Sequence, residues 1–370
     1  MSPLRRPSGS SILSLLSLTL AGAAPGGCAL QGEPEPALVT AEIGGDCPNF
    51  GCNSNSPLVD GSPIHELDEG PTLSALLDDD GELDQGGEFN SWGTRLVHLV
   101  KAGVVYRLDV RRDRPRALDG AGHVVWQGAD LVGSTIVLER ADGTPYYVFI
   151  EGYHDTLTFW VGPPDPIQTF LLTWAPLPTP GEHRRPVCPL VAASAEWGAS
   201  GLHEAIFFQG DRYDADTKRV VATGSDAMGW FNVACAGSAT AKMHTNRHTR
   251  AGATEGFTAT PLQEQALLRM FVADYCRTGK AFTVIGQPLR WQNRLAWQTI
   301  DLPDPIQYEA AWDSGGAVCL DVPRMSDTPA ELAETLAAIQ DECDLPPPCS
   351  DPDAFPVGWD RSVYLMSANP

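Results

Sequence analysis

Five side chains between residues 203 and 276 are of types that do chemistry: His203, Cys235, His244, His248 and Asp274. The sequence predicts a helix over roughly 233–247; with Asn232 as its cap, Cys235 lies in the first turn. That end of a helix lowers a thiol pKa, as a nucleophilic cysteine requires. A nucleophile also needs a base. His244 is nine residues further on, about 900° around at roughly 100° per residue, and His248 also faces away. The base would have to come from elsewhere, with His203 the candidate. His244 and His248 stand at i and i+4, which is metal-ligand spacing on one helix face, and Glu204 or Asp274 could complete such a site. The zinc-protease pattern needs Glu directly after the first His, and here that residue is Thr245. Together these side chains describe an envelope hydrolase dependent on a thiol or a metal.

A plainer reading of the same residues carries more weight. Cys235 is then a disulfide partner, with Cys276 the favoured mate because that bridge ties two helices together. The histidines are then hydrogen-bonded groups at a helix end, stabilised there by the dipole. On this reading no catalytic or metal-ligating residue is assigned. No GxSxG, phosphate loop or dinucleotide fingerprint appears, so no cofactor is expected.

The elements that must position these groups follow from periodicity. In Val104–Val110 the apolar residues fall on even numbers, while Arg107 and Asp109 face the other way, as in a half-buried strand. Further strands are expected at 131–139, 146–151, 157–161 and 167–174, with Asp142-Gly143 as a hairpin turn. Strands at 204–208 and 218–222 flank a polar turn at Tyr213–Asp216. Thr260-Pro261-Leu262-Gln263 starts a helix over 261–277, and Thr328-Pro329-Ala330-Glu331 starts another. Leu262, Ala266, Met270 and Ala273 form the core stripe of the first. Asp274, Tyr275 and Cys276 then fall in its last turn, with Gly279 as the stop. A thiol there feels the negative end of the dipole, so Cys276 reads as structural. Asp274 is badly placed for the same reason and calls for a basic partner near Arg247 or His248.

The predicted fold class is α+β. A small all-β domain, sandwich or barrel, spans 91–178, and a mixed α/β disulfide-bonded domain spans 186–345, with a tail over 346–370. Residues 31–90 hold 14 acidic side chains and no Lys or Arg, so 28–90 reads as a flexible acidic tether carrying a small Cys47–Cys52 loop. Its run Asp78–Asp84 fails the spacing of a calcium loop. The formal charge of -22 disfavours nucleic acid as a partner.

Residues 1–27 look like an export signal: Arg5 and Arg6 precede an apolar stretch too short to span a bilayer. Ala21-Gly22-Ala23 offers an ordinary cleavage site. Pro25-Gly26-Gly27-Cys28 resembles a bacterial lipobox, which would lipidate Cys28 and tether the chain to a membrane. Eight cysteines then remain, Cys47, Cys52, Cys188, Cys235, Cys276, Cys319, Cys343 and Cys349. An even set in an exported chain reads as a disulfide framework, with Cys343–Cys349 a second local pair.

Three stretches in order, GWFNVACAGSATAKMH, MFVADYC and FTVIGQPLRW, resemble the ADYC-domain proteins, an exported group found chiefly in myxobacteria. The resemblance covers roughly 186–345. It implies domain limits and a cell-envelope location, and it carries over no catalytic residue. The leading expectation is a non-catalytic envelope protein that binds or presents an extracellular ligand, or plays a structural part.

Overall fold

The computed structural model describes residue 59 and residues 64–70, 84–178, 184–188, 204–284, 287, 289–294, 308–349 and 365–368. In chain order its strands are β1 (Glu66–Asp68), β2 (Thr94–Lys101), β3 (Val104–Arg111), β4 (Arg114–Leu118), β5 (Val124–Gln127), β6 (Thr135–Arg140), β7 (Pro145–Thr158), β8 (Pro166–Ala175) and β9 (Arg185–Pro186). There follow β10 (Glu204–Gln209), β11 (Arg212–Asp214), β12 (Arg219–Ala222), β13 (Trp230–Cys235), β14 (Arg290–Asn293), β15 (Tyr308–Asp313), β16 (Gly316–Leu320) and β17 (Leu365–Ala368). The helices are α1 (Ala239–Thr245), α2 (Pro261–Val272) and α3 (Pro329–Gln340). The fold is α+β.

One large antiparallel sheet runs β1-β13-β10-β8-β7-β6-β2-β3-β4-β5, with β9 beside β8. Strands from both sides of the expected interdomain linker join in it: Ala205 of β10 pairs with Phe170 of β8. The sheet curls, so that Gln209 N at the end of β10 donates to Arg112 O in the β3–β4 turn at 2.6 Å. The curled inner face holds one core, including Leu96, Leu108, Val148, Phe170, Phe207 and Phe231. The other face of β10 and β13 packs Ile206, Phe208 and Ala234 against α1, α2 and a four-stranded sheet ordered β14-β17-β15-β16. Alternate residues of β10 thus enter different cores, the period of two expected of a strand covered on both faces.

That double burial explains the main departure from expectation. The apolar run 230–235 reads equally as helix or strand, because both faces are buried. It forms β13, and α1 begins only at Ala239, capped by Ser238, whose Oγ accepts from Ala241 N at 3.3 Å. Asn232, the expected cap, is a fully buried strand residue donating to Asp211 O at 2.7 Å. The expected strand at 218–222 becomes β12, which pairs with β11 and not with β10. Segments 146–151 and 157–161 merge largely into β7. The helix starts at Thr260 and Thr328 form as expected, each with a complete capping box. Leu262, expected in the stripe of α2, is 68% exposed.

Two segments read as peripheral are built in. His65, Glu66, Leu67, Glu69, Gln85 and Asn90, all within the expected tether, are buried. Gln85 acts as a surrogate strand: its Nε2 donates to Glu69 O (3.0 Å) and Leu108 O (2.9 Å), and its Oε1 accepts from Leu108 N (2.8 Å). Glu69 accepts from Val110 N at 2.8 Å, and burial pushes its carboxyl up to about 7. In the expected tail, β17 lies inside the small sheet between β14 and β15. Arg107 and Asp109, expected on an outer face, are also buried, Asp109 accepting from Arg116 Nε at 2.9 Å. Local composition could not show these placements, since each depends on a partner far along the chain.

Replacing Gln85 by Ala strands the buried Leu108 N–H and C=O groups. We expect a loss of about 2–5 kcal/mol in unfolding free energy, read by urea titration. A loss no larger than that of an exposed substitution would restore the tether reading of this segment.

Candidate functional site

The reactive candidates are committed to the scaffold. Cys235, at the end of β13, is bonded to Cys188, and not to Cys276. Cys276 is bonded to Cys343, and Cys319 to Cys349, so the expected local Cys343–Cys349 pair does not form. Cys28, Cys47, Cys52 and His203 lie outside the described residues. His244 is buried between two rings, stacked on Phe208 at 4.7 Å and tilted to Phe159, with Nδ1 2.8 Å from Thr249 Oγ1. His248 is buried with Nδ1 2.7 Å from Asn246 O. The i, i+4 relation is broken because α1 ends at Thr245 and Arg247 takes φ 59°. Burial holds the imidazoles down, to about 3 for His244 and about 4 for His248. The carboxylates expected to complete a metal site are elsewhere: Glu204 meets His154 at 2.6 Å, and Asp274 is paired with Arg269. Among the described residues no group of three or more His, Cys, Asp or Glu is arranged to hold a metal.

Residues 273–276 fasten three parts of the structure at once. Helix α2 stops at Val272 because Ala273 adopts the left-handed conformation (φ 52°, ψ 45°) that usually calls for glycine. Asp274 therefore turns back along the helix rather than extending its last turn. It pairs with Arg269, one turn earlier, and accepts from Gly279 N at 3.0 Å. Arg269, and not Arg247 or His248, is its basic partner. Gly279 does not end the helix; it lets the chain pass Asp216 O, which a Cβ would meet at 2.2 Å. Tyr275 crosses to the small sheet. Its hydroxyl donates to Glu309 Oε1 of β15 at 2.6 Å, and its ring stacks on Trp312 at 5.2 Å. Glu309 in turn pairs with Arg324 Nε at 2.6 Å, and Arg324 N donates to Tyr275 Oη at 3.2 Å. Glu309 and Arg324 are both fully buried. Cys276 then bonds α3 through Cys343.

A solvent-open cleft lies away from this clasp, where the β3–β4 turn faces the segment after α1. It has two adjoining lobes of about 660 and 690 Å³. Arg111, Arg112, Asp113 and Arg114 form one rim, Arg247 and Arg250 to Thr258 the other, and Gln209 and Gly210 sit between. Arg247 is buried and saturated: it donates to Val161 O, Gly252 O and Pro163 O at 2.7–2.9 Å and pairs with Asp165 at 3.0 Å. Arg111 pairs with Asp109 at 2.8 Å and lies 3.8 Å from Glu69; Arg114 stands 3.9 Å from Asp113. Arg112 and Arg250 are exposed, and neither guanidinium is paired with a carboxylate among the described residues.

The model of the ADYC domain matches residues 128–326, more than half of the chain. The chain belongs to the ADYC-domain family. No curated protein and no solved structure matches it.

In this ADYC protein each letter of the motif has its own structural role. Ala273 ends the helix, Asp274 neutralises Arg269, Tyr275 holds the small sheet, and Cys276 holds α3. Other titratable groups are buried nearby. Lys242 of α1 is fully enclosed, and burial, with repulsion from Arg324, lowers its amine to about 7. Burial raises Asp211 and Glu264; the Asp211 carboxylate raises Glu264 further, and the Arg250 charge pulls both back down. The cleft arginines escaped the sequence reading, although Arg111-Arg112-Asp113-Arg114 places three cations in four residues of a strongly acidic chain. That run was a usable signal.

Two measurements test the clasp and the histidines. Glu309→Gln leaves the buried Arg324 charge uncompensated and should cost about 3–5 kcal/mol. Tyr275→Phe removes a neutral donor and should cost about 1–3 kcal/mol. Urea unfolding that ranks them the other way would place the weight on the phenol. His244 and His248 have folded pKa values below the ordinary 6.5, so their contribution is present above 6.5 and lost as pH falls toward 4. Stability should therefore drop across that window by about 1.4 kcal/mol per pH unit per histidine. His244→Phe should remove one histidine's share of that slope; an unchanged slope would mean His244 is not held neutral.

Proposed function

We propose that this ADYC protein is an exported, lipid-anchored, non-catalytic binding module of the cell envelope. The observation that carries this reading is the fate of the chemically reactive side chains. Both candidate thiols, Cys235 and Cys276, are consumed in bridges, and His244 and His248 are packed into cores where burial holds them neutral. A thiolate nucleophile and a hydrated metal need accessible, deprotonated ligands, and these groups offer neither access nor convergence. What is accessible is a large concave surface on a cross-linked body. The three disulfides among the described residues suit an oxidising compartment and a rigid binding scaffold. The basic start, short apolar stretch and Cys28 of the leader support delivery to a membrane surface, with the anchor attached at Cys28. Among the described residues no helix is long and apolar enough to cross a membrane.

One intact-mass measurement tests the reading. The protein, purified from the membrane fraction, is alkylated without reduction. We expect no label at Cys188, Cys235, Cys276, Cys319, Cys343 or Cys349, and a lipid mass on the N-terminal peptide beginning at Cys28. Label at Cys235 or Cys276 would return the thiol-enzyme reading. An unmodified Cys28 would remove the anchor.

A further inference from the structure

We propose that the bilobed arginine cleft binds a ligand carrying two or more phosphate groups. The proposal rests on the binding-module reading and gives it a ligand class. The chain is strongly acidic, with 47 acidic against 25 basic side chains, yet five arginines gather on this one concavity. Their states differ. Arg247 is locked by three carbonyls and Asp165, and serves as framework. Arg111 and Arg114 already lean on carboxylates. Arg112 and Arg250 line the second lobe with no direct ion pair among the described residues, while the Arg250 charge also acts on the buried Asp211 and Glu264 carboxyls.

The backbone holds these two in place. Arg112 sits in the two-residue turn between β3 and β4 at φ 57°, a conformation that costs an arginine strain and that a glycine would adopt freely. Its carbonyl is tied to Gln209 N at 2.6 Å, so the turn is pinned against β10. Arg250 N donates to Asp211 Oδ2 at 2.7 Å, which fixes the opposite rim to the segment following β10. Both rims thus hang from one end of one strand. Such pre-organisation lowers the ordering cost of binding. A planar guanidinium matches a phosphate with two parallel N–H donors, and two of them favour a ligand with more than one such group. Each lobe is far larger than a single ion and suits a small multivalent molecule or a headgroup. Three carboxylates, Asp113, Asp165 and Glu255, share the lining.

The test is calorimetric titration of the full mature protein with tripolyphosphate at low ionic strength. We expect one site per chain, weakening as salt rises. The double variant Arg112→Gln/Arg250→Gln should weaken binding by about tenfold or more, with the native far-UV circular dichroism spectrum retained because both side chains are exposed. Arg140→Gln, outside the cleft, should bind as the parent does. Absence of binding by the parent, or equal binding by the double variant, overturns the proposal. Competition then separates two sources of the same chemistry. Displacement by phosphatidylcholine vesicles containing cardiolipin, whose headgroup carries two phosphates, and not by vesicles lacking it, assigns a lipid headgroup. Retention of tripolyphosphate assigns a soluble phosphorylated ligand. Free thiols on alkylation would sink the module reading whatever the titration shows, so the two failures are distinct.

Discussion

The buried carboxylate of Glu309 is the point on which the second half of the molecule depends. A carboxylate and a guanidinium removed from water are tolerated only when each satisfies the other and the remaining polar atoms find donors. Glu309 meets the first part of that condition through Oε1, which faces both Arg324 Nε and the hydroxyl of Tyr275, while its buried Oε2 has no hydrogen-bond partner among the described residues. The three groups come from β15, from the loop after β16 and from the end of α2. Their mutual requirement fixes where the helix ends relative to the small sheet. Trp312, fully buried, closes the space by stacking on Tyr275. The Cys276–Cys343 bridge adds α3 to the same junction, 67 residues along the chain.

The large sheet is organised by a different constraint. Its strands β10 and β13, next to the β1 end, are covered on both faces, so their alternate side chains feed two cores. The ends of the sheet are held by buried polar groups and not by apolar contact alone. Glu66 accepts from Arg212 Nη2 at 3.0 Å and from Tyr213 N at 3.2 Å, joining the first strand to β11. Gln85 and Glu69 complete hydrogen bonds that β3 lacks on its open edge. Buried polar groups of this kind specify register, because only one alignment satisfies them.

Those same fixings shape the cleft. The curl that brings β3 and β4 over β10 also brings the Arg111–Arg114 turn opposite Arg250. The concavity is therefore a product of sheet curvature, and its charge comes from a turn whose residues are distant in sequence from the other rim. None of residues 273–276 lines the cleft, so the motif that defines the family belongs to the scaffold.

Much of this was legible in the chain of residues alone. Period-two runs marked β3, β6, β7 and β8, capping boxes marked the starts of α2 and α3, and the motif stretches marked the family. Those signals are local, because capping bonds and side-chain alternation are set within a few residues. Sequence by itself thus determined the α+β class, the starts of α2, α3 and several strands before β13, and a framework of paired cysteines. Only the tertiary structure decided which cysteines meet, that 230–235 is a strand, that Gln85 and β17 belong to sheets, and that Arg112 faces Arg250. Each of those outcomes turns on which distant segment supplies the second half of a buried contact. A linear pattern of apolar and polar residues records that a partner is needed, and the folded chain alone records which one it is.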